Sequence, residues 1–363
     1  MTPPRATPDA AHTTCRRQRL LGWSALVLLA GVTGLAVWKT WRPAVARREP
    51  VGVMGTRTHL IAVAPRGEAD VATAALDAAE AALRRVEARM SRRIEASEIG
   101  RLNAAAGGER VGLSGETLAV LRRSRGLWRA SDGAFDVTCL PVLRLWAGAA
   151  DAGRVPSPSE RDAARAASRW SDFALEEGGA VKRRDSACVD LGGISKGHAI
   201  DRAVARMRRA GAVGGFVEVG GDVRCFGRPP RGGSWPVQVR DPFGGEPLAE
   251  LRLNGGAVCT SGHYARGAEI DGVRYSHIVD PRDGRALRAD RAAASVTVVA
   301  PDATTADVWA TALSVVGPDG LARLPDGVEA LIVRGAAGDY NIHATDGLEP
   351  LLAEPLRRAG DEP

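Results

Sequence analysis

Between Gly211 and Ala300 the chain passes through seven short segments that read as strands: "GGFVEVGG", "DVRCFG", "WPVQVRDP", "LAELRL", "GGAVCTSG", "YSHIVD" and "SVTVVA". Most alternate apolar with polar side chains, and glycine, proline or aspartate separates each from the next. Strands so outnumber helices in this stretch that regular βαβ alternation does not fit it. The helices must lie elsewhere, which predicts an α+β chain with mixed or antiparallel sheets and helices packed against them. "EADVATAALDAAEAALRRVEARM" places Ala72, Leu76, Ala79, Leu83, Val86 and Met90 at helical spacing. Further helices are expected over Gly115 to Ala130, over Ser195 to Arg209 with a stop at Gly211, and in "TTADVWATALSVVG". A polar link from Asp151 to Arg169 carries a short helix of its own, and "FALEEGGAVKRRDSACVDLGG" reads as a hairpin turning at Gly178-Gly179.

The 363 residues carry a net charge of +6, but the first fifty hold eight basic side chains against two acidic ones. The remainder is balanced and has no basic runs interleaved with aromatics, which excludes nucleic-acid binding by the folded part. Residues 1–19 form a basic N-terminus expected in the cytoplasm. Residues 20–38 contain no charge and would span about 28 Å as a helix, with Trp38, Lys39 and Trp41 at the far interface. This segment is a transmembrane anchor or the apolar region of a signal; Arg16-Arg17 and Ala44-Val45-Ala46 keep the second reading open. Both readings carry the rest of the chain out of the cytoplasm. Residues 39–50 are expected to be a linker, 51–345 the folded domain and 346–363 a tail. Cys139, Cys188, Cys225 and Cys259 lack zinc spacing and lie in or beside apolar runs, as buried thiols do.

The stretch "VDLGGISKGHAIDRA" ends a strand at Gly192-Gly193 and starts a helix at Ser195 and Lys196, so helix N–H groups and a cation converge as a phosphate would require. Asp190 precedes the turn and could bind a polar group of the same ligand, and Gly193 allows close approach of backbone to ligand or metal. "SDGAFDVTCLP" sets Phe135 and Asp136 after a turn, and "YSHIVDPRDGRAL" sets His277 before a strand end. Asp307 and Thr311, four apart on one helix face with Ala310 beside them, offer two hard oxygens suited to Mg2+ or Ca2+ and poorly suited to zinc.

These segments, with "MGT" at Met54 to Thr56, "SEIGRLN" at Ser97 to Asn103, "GGDVRCFG" and "TSGHY", stand in the order found in the FAD:protein FMN transferases, and from Met54 to about Val333 the chain resembles that family, ApbE. The resemblance implies an ApbE-like fold. It also implies an enzyme that splits FAD, joins FMN through a phosphoester to a threonine or serine of an acceptor protein, and releases AMP with a divalent cation. On it, Met54, Ala134, Phe135, Asp136, Asp190, Lys196 and Ile278 match flavin-binding positions. The metal positions fall on the Gly193 carbonyl, Asp307, Ala310 and Thr311, and His277 matches the residue that activates the hydroxyl. The acceptor would belong to a membrane redox complex, with the catalytic domain in the periplasm, anchored to the inner membrane or exported. Arg93 stands where the family usually has an aromatic, and His263 where it usually has aspartate. The same site would also serve a metal-dependent FAD pyrophosphatase, or a periplasmic protein that holds FAD without turning it over.

Overall fold

In the computed structural model, which describes residues 43–262 and 267–356, the apolar segments assemble around one eight-stranded antiparallel sheet. The strands in chain order are β1 (Ala44–Arg48), β2 (Thr58–Ala64), β3 (Arg110–Gly112), β4 (Phe173–Glu176), β5 (Gly179–Lys182), β6 (Gly214–Val219), β7 (Asp222–Gly227), β8 (Trp235–Val239), β9 (Ala249–Leu253), β10 (Gly256–Gly262), β11 (Gly267–Ile270), β12 (Val273–Asp280), β13 (Arg285–Arg288), β14 (Ser295–Ala300), β15 (Glu329–Ala336) and β16 (Asp339–Ala344). The helices are α1 (Ala69–Met90), α2 (Glu98–Ala104), α3 (Gly115–Ala130), α4 (Leu140–Ala152), α5 (Pro158–Ala166), α6 (Ser195–Arg209) and α7 (Ala303–Val316). The large sheet has the order β1-β2-β6-β7-β10-β14-β15-β16.

One face of this sheet is covered by α1, α6 and α7, whose apolar stripes interlock with Leu60, Val217, Val219, Ala257 and Val298 in the main core. The opposite face is covered by the β8–β9 hairpin, where Trp235, Val237, Leu251 and Leu253 pack on Val223, Val258 and Leu331. A smaller core joins α4 to the β11-β12-β13 sheet through Val142, Trp146, Ile270 and Val279, and the Trp146 indole N–H donates to the Gly284 carbonyl at 2.9 Å. Helix α7 is buried almost all round because it sits between α6 and the sheet.

Two expected boundaries shift. The expected linker 39–50 contains β1, which pairs along β2 from Ala44 opposite Ala64 to Arg48 opposite Leu60. Its arginines look like linker residues because an edge strand tolerates charge; Arg48 in fact binds Asp77 at 2.7 Å and Glu80 at 3.1 Å on α1. The expected tail also begins folded: Leu348 is buried, Leu352 bridges to Leu251, and the Ala353 N–H donates to the Glu250 carbonyl at 2.8 Å. The folded part therefore runs from at least Ala44 to at least Ala353. The anchor or signal segment, Cys15 and His263 lie outside the described residues. Among the described residues no helix is long and apolar enough to cross a membrane, and Cys139, Cys188, Cys225 and Cys259 are buried free thiols.

Candidate active site

The Gly-Gly turn before α6 is built from both sides. The Asp190 N–H donates to the Val137 carbonyl at 2.7 Å, and the Asp190 carboxylate accepts the Gly192 N–H at 2.9 Å, closing a local turn. Its second oxygen accepts from the Arg92 guanidinium at 2.7 Å. No strand leads into this turn as the sequence suggested; the segment after β5 is irregular, and Asn103, from "SEIGRLN", holds it by exchanging two hydrogen bonds with Val189 at 2.8 and 2.9 Å.

Helix α6 then crosses α7 at backbone contact. A Cβ on Gly197 would lie 2.3 Å from the Ala303 carbonyl oxygen and 2.9 Å from Asp307 Cβ, so only glycine fits there. This closeness lets the Gly197 N–H donate to Asp307 Oδ2 at 2.9 Å. One N–H of the first turn of α6 thus holds a carboxylate of the protein. The Lys196 ammonium forms an ion pair with Asp222, at the start of β7, and Asp222 also accepts the Thr260 N–H at 3.1 Å. Burial works against the Lys196 charge, but Asp222 and Asp307 outweigh it and raise its pKa. Burial has the opposite consequence for Asp307: helped by Asp222 and opposed by Lys196, it pushes this carboxyl up to about 7.

Thr311 comes back to the turn. A Cβ on Gly193 would lie 3.5 Å from Thr311 Oγ1 and 3.2 Å from the Phe135 ring, so the Gly193 backbone, the Thr311 hydroxyl and Phe135 meet at one point. Thr311 Oγ1 donates to the Asp307 carbonyl at 3.2 Å, which leaves its lone pairs available. Ala310 brings no side-chain oxygen, and its carbonyl accepts the Ser314 hydroxyl at 2.8 Å with a second lone pair left over. Asp307 and Thr311 one turn apart, Ala310 between them and Gly193 against Thr311 bring hard oxygens of the kind that fit Mg2+ or Ca2+ to this crossing, with Asp307 as the one carboxylate among them. Among the described residues no group of three or more His, Cys, Asp or Glu side chains gathers as metal ligands. A cation here would depend on neutral oxygens and on a ligand of its own for the rest of its shell.

The remaining site residues sit on more open elements. Ala134 and Phe135 are buried, while Asp136 is half-covered and accepts from the Thr138 N–H and hydroxyl, both at 2.8 Å. Burial raises the Asp136 carboxyl to about 6 against those two bonds. Asp136 also lines a cleft of about 530 Å3 with Trp128, Arg129, Arg165 and Arg282. Met54 has φ +51°, a rare conformation for a side chain of its size, and its N–H donates to Glu87 at 2.9 Å. Thr56, two residues on, packs against Gly220 in the turn leading to Asp222. Ile278 is buried and His277 exposed on β12, which packs against α7, and the β12–β13 register shifts between Tyr275 and Val279. Arg93 is exposed.

Asp222, Arg92 and Gly197 were not expected in the site. Each lies in or beside a quoted motif, yet its role depends on a partner far away in sequence.

The ApbE family model matches residues 54–332. The FAD:protein FMN transferase of Vibrio cholerae is 29% identical over 344 residues, covering 93% of this chain and all of that protein. The one from Treponema pallidum is 31% identical over 319 residues, covering 82% of this chain and 86% of its own length. The apo crystal structure of the Pseudomonas stutzeri flavinyl transferase ApbE superposes with a TM-score of 0.74 at 27% identity, over 87% of this chain and 99% of that one. With its motifs in order, its sheet and helices in the same arrangement and most of its length matched, this chain belongs to the ApbE family.

Proposed function

We propose that the chain is an FAD:protein FMN transferase that moves FMN from FAD to a threonine or serine hydroxyl of an acceptor protein and releases AMP. Relatives matched over 93% and 82% of its length bear that activity in their names. The observation that carries the proposal is the meeting of Gly193, Thr311, Asp307 and Lys196 at the α6–α7 crossing, where hard oxygens and a held cation suit a diphosphate.

Asp307, Thr311 and the Gly193 carbonyl would hold a divalent cation, Mg2+ or else Ca2+. When bound, it would draw charge from the diphosphate oxygens and so reduce their repulsion of an incoming hydroxyl. Lys196 supplies fixed positive charge at the same place, kept ionised by Asp222 and Asp307. Ala134, Phe135 and Asp136 from one side, and Met54, Asp190 and Ile278 from the others, bind the flavin nucleotide. The acceptor oxygen bonds to the FMN phosphorus as the bond from that phosphorus to the bridging oxygen breaks. The bridging oxygen leaves on AMP with the electron pair, and His277 takes the hydroxyl proton. The N-terminal segment would place this domain in the periplasm, tethered or exported, where the acceptor would be a protein of a membrane redox complex.

The test is incubation of the full chain with FAD and Mg2+, with and without a threonine-bearing acceptor, followed by chromatography for AMP and mass spectrometry of the acceptor. The proposal expects AMP together with an acceptor heavier by one FMN unit. AMP with free FMN and an unchanged acceptor would make it a pyrophosphatase, and no AMP would leave a flavin-binding protein.

A further inference from the structure

The donors assigned to the cation come from two separate elements, the turn before α6 and the second and third turns of α7, so their spacing is only as fixed as the helix pair. Two contacts set that pair. The first is Gly197 N–H to Asp307. The second lies four residues on along α6 and four residues back along α7, which is the register of two antiparallel helices. There the Asp201 carboxylate accepts the Ala303 N–H at 2.8 Å, the Thr304 N–H at 3.0 Å and the Thr304 hydroxyl. Asp201 is thus an acidic cap for α7 supplied by α6. Arg224 of β7 donates to Asp201 at 2.6 Å and to the Pro301 carbonyl at 3.3 Å, bracing both helices against the sheet. It lies two residues from Asp222 on one face of β7, so a single strand steadies Lys196 and Asp201 together.

We infer that Asp201, braced by Arg224, is a positioning residue that sets the α6–α7 register and with it the spacing of Gly193 from Asp307 and Thr311. The inference rests on the metal assignment made above. Helix α7 supplies its own comparison. Asp302 is also an N-terminal cap, accepting the Thr305 N–H at 2.9 Å, but its partner is Arg123 at 2.7 Å on α3 rather than anything on α6. Loss of either cap should lower stability, more so at Asp201, whose pair with Arg224 is the more covered. Only loss of Asp201 should disturb the site.

The experiment measures Mn2+ binding by the full chain without FAD, using the paramagnetic signal of free Mn2+, and the melting temperature of each variant. Asp201→Asn should weaken Mn2+ binding about tenfold or more, as supporting residues of metal sites commonly do. Asp302→Asn keeps a competent cap and loses only a part-exposed ion pair, so it should lower melting less and leave Mn2+ affinity within about twofold of the parent. Asp201→Glu separates the roles further: it keeps an acidic cap but adds a methylene, so melting should be largely retained while Mn2+ binding weakens. If Asp201→Asn does not fold, the Asp201→Glu result decides. Equal Mn2+ affinity in Asp201→Glu and the parent, or equal losses in Asp201→Asn and Asp302→Asn, would overturn the inference and leave Asp201 an ordinary cap. A parent whose Mn2+ binding is unaffected by Asp307→Ala would overturn the metal assignment itself, and the inference with it.

Discussion

The two halves of the site are made differently. The α6–α7 half is closed: Asp222 is 2% exposed, its contacts are ion pairs and N–H to carboxylate bonds, and the helices touch at backbone distance. The half formed by the 131–136 turn and β12 is open, with Asp136 half-covered beside a cleft and His277 exposed on a bulged strand. The difference follows the proposed division of labour. Charge on a diphosphate is best met by groups that need no reorganisation, whereas a flavin ring and an acceptor hydroxyl need room to enter. Mutations in the closed half should therefore cost metal binding or stability, and those in the open half should cost less of either.

The largest effect is expected from Asp307→Ala, which removes the only carboxylate in the donor set. AMP release should fall more than about a hundredfold, a loss beyond that usual for a supporting residue. FAD binding measured by fluorescence should persist through the open half; a parent-like rate would show that the closed half is not the metal site.

Next comes Asp222→Asn, which leaves Lys196 buried beside a neutral partner. Breaking one side of such a pair costs about 3 kcal/mol, taken at the low end because the Lys196 side chain is 28% exposed. Urea denaturation of the variant should show that loss, and an unchanged midpoint would mean that the pair contributes nothing to the fold.

Thr311→Ala is expected to be milder. Water can replace a neutral ligand, so AMP release at low Mg2+ should drop about tenfold and recover as Mg2+ is raised. Failure to recover would assign Thr311 a role beyond holding the cation.

The pattern of what the sequence revealed falls along the same division. Helix α6 over Ser195 to Arg209, the α7 pair Asp307 and Thr311, and the turn carrying Phe135 and Asp136 were legible because each signal is local: periodicity, an i,i+4 spacing, a glycine turn. The charge network of the closed half was not. Nothing in "GGDVRCFG" says that Asp222 will meet Lys196, and nothing in "GHAIDRA" says that Asp201 will cap a helix that starts at Ala303. The tie from the Gly197 N–H to Asp307 was hidden for the same reason, since its acceptor lies on a helix more than a hundred residues away. β1 was missed because charge on an edge strand looks like charge in a linker.

The smallest effect expected is in the open half. Burial raises the Asp136 carboxyl from its ordinary 3.8 to about 6, so the folded chain binds more protons than the unfolded one between about pH 4 and 6. Its contribution is most favourable below that window and is lost as pH rises through it. Asp136→Asn should flatten this part of the dependence of the urea midpoint on pH. A slope unchanged by the substitution would place its origin elsewhere.

The claim on which the account turns is that one cation is held jointly by the turn before α6 and by the second and third turns of α7. Anomalous diffraction from crystals soaked in Mn2+ tests it without reference to turnover. The account predicts a single peak between the Gly193 carbonyl, the Asp307 carboxylate and the Thr311 hydroxyl, absent in Asp307→Ala. A peak bounded by other residues, or one that survives the loss of Asp307, would contradict it.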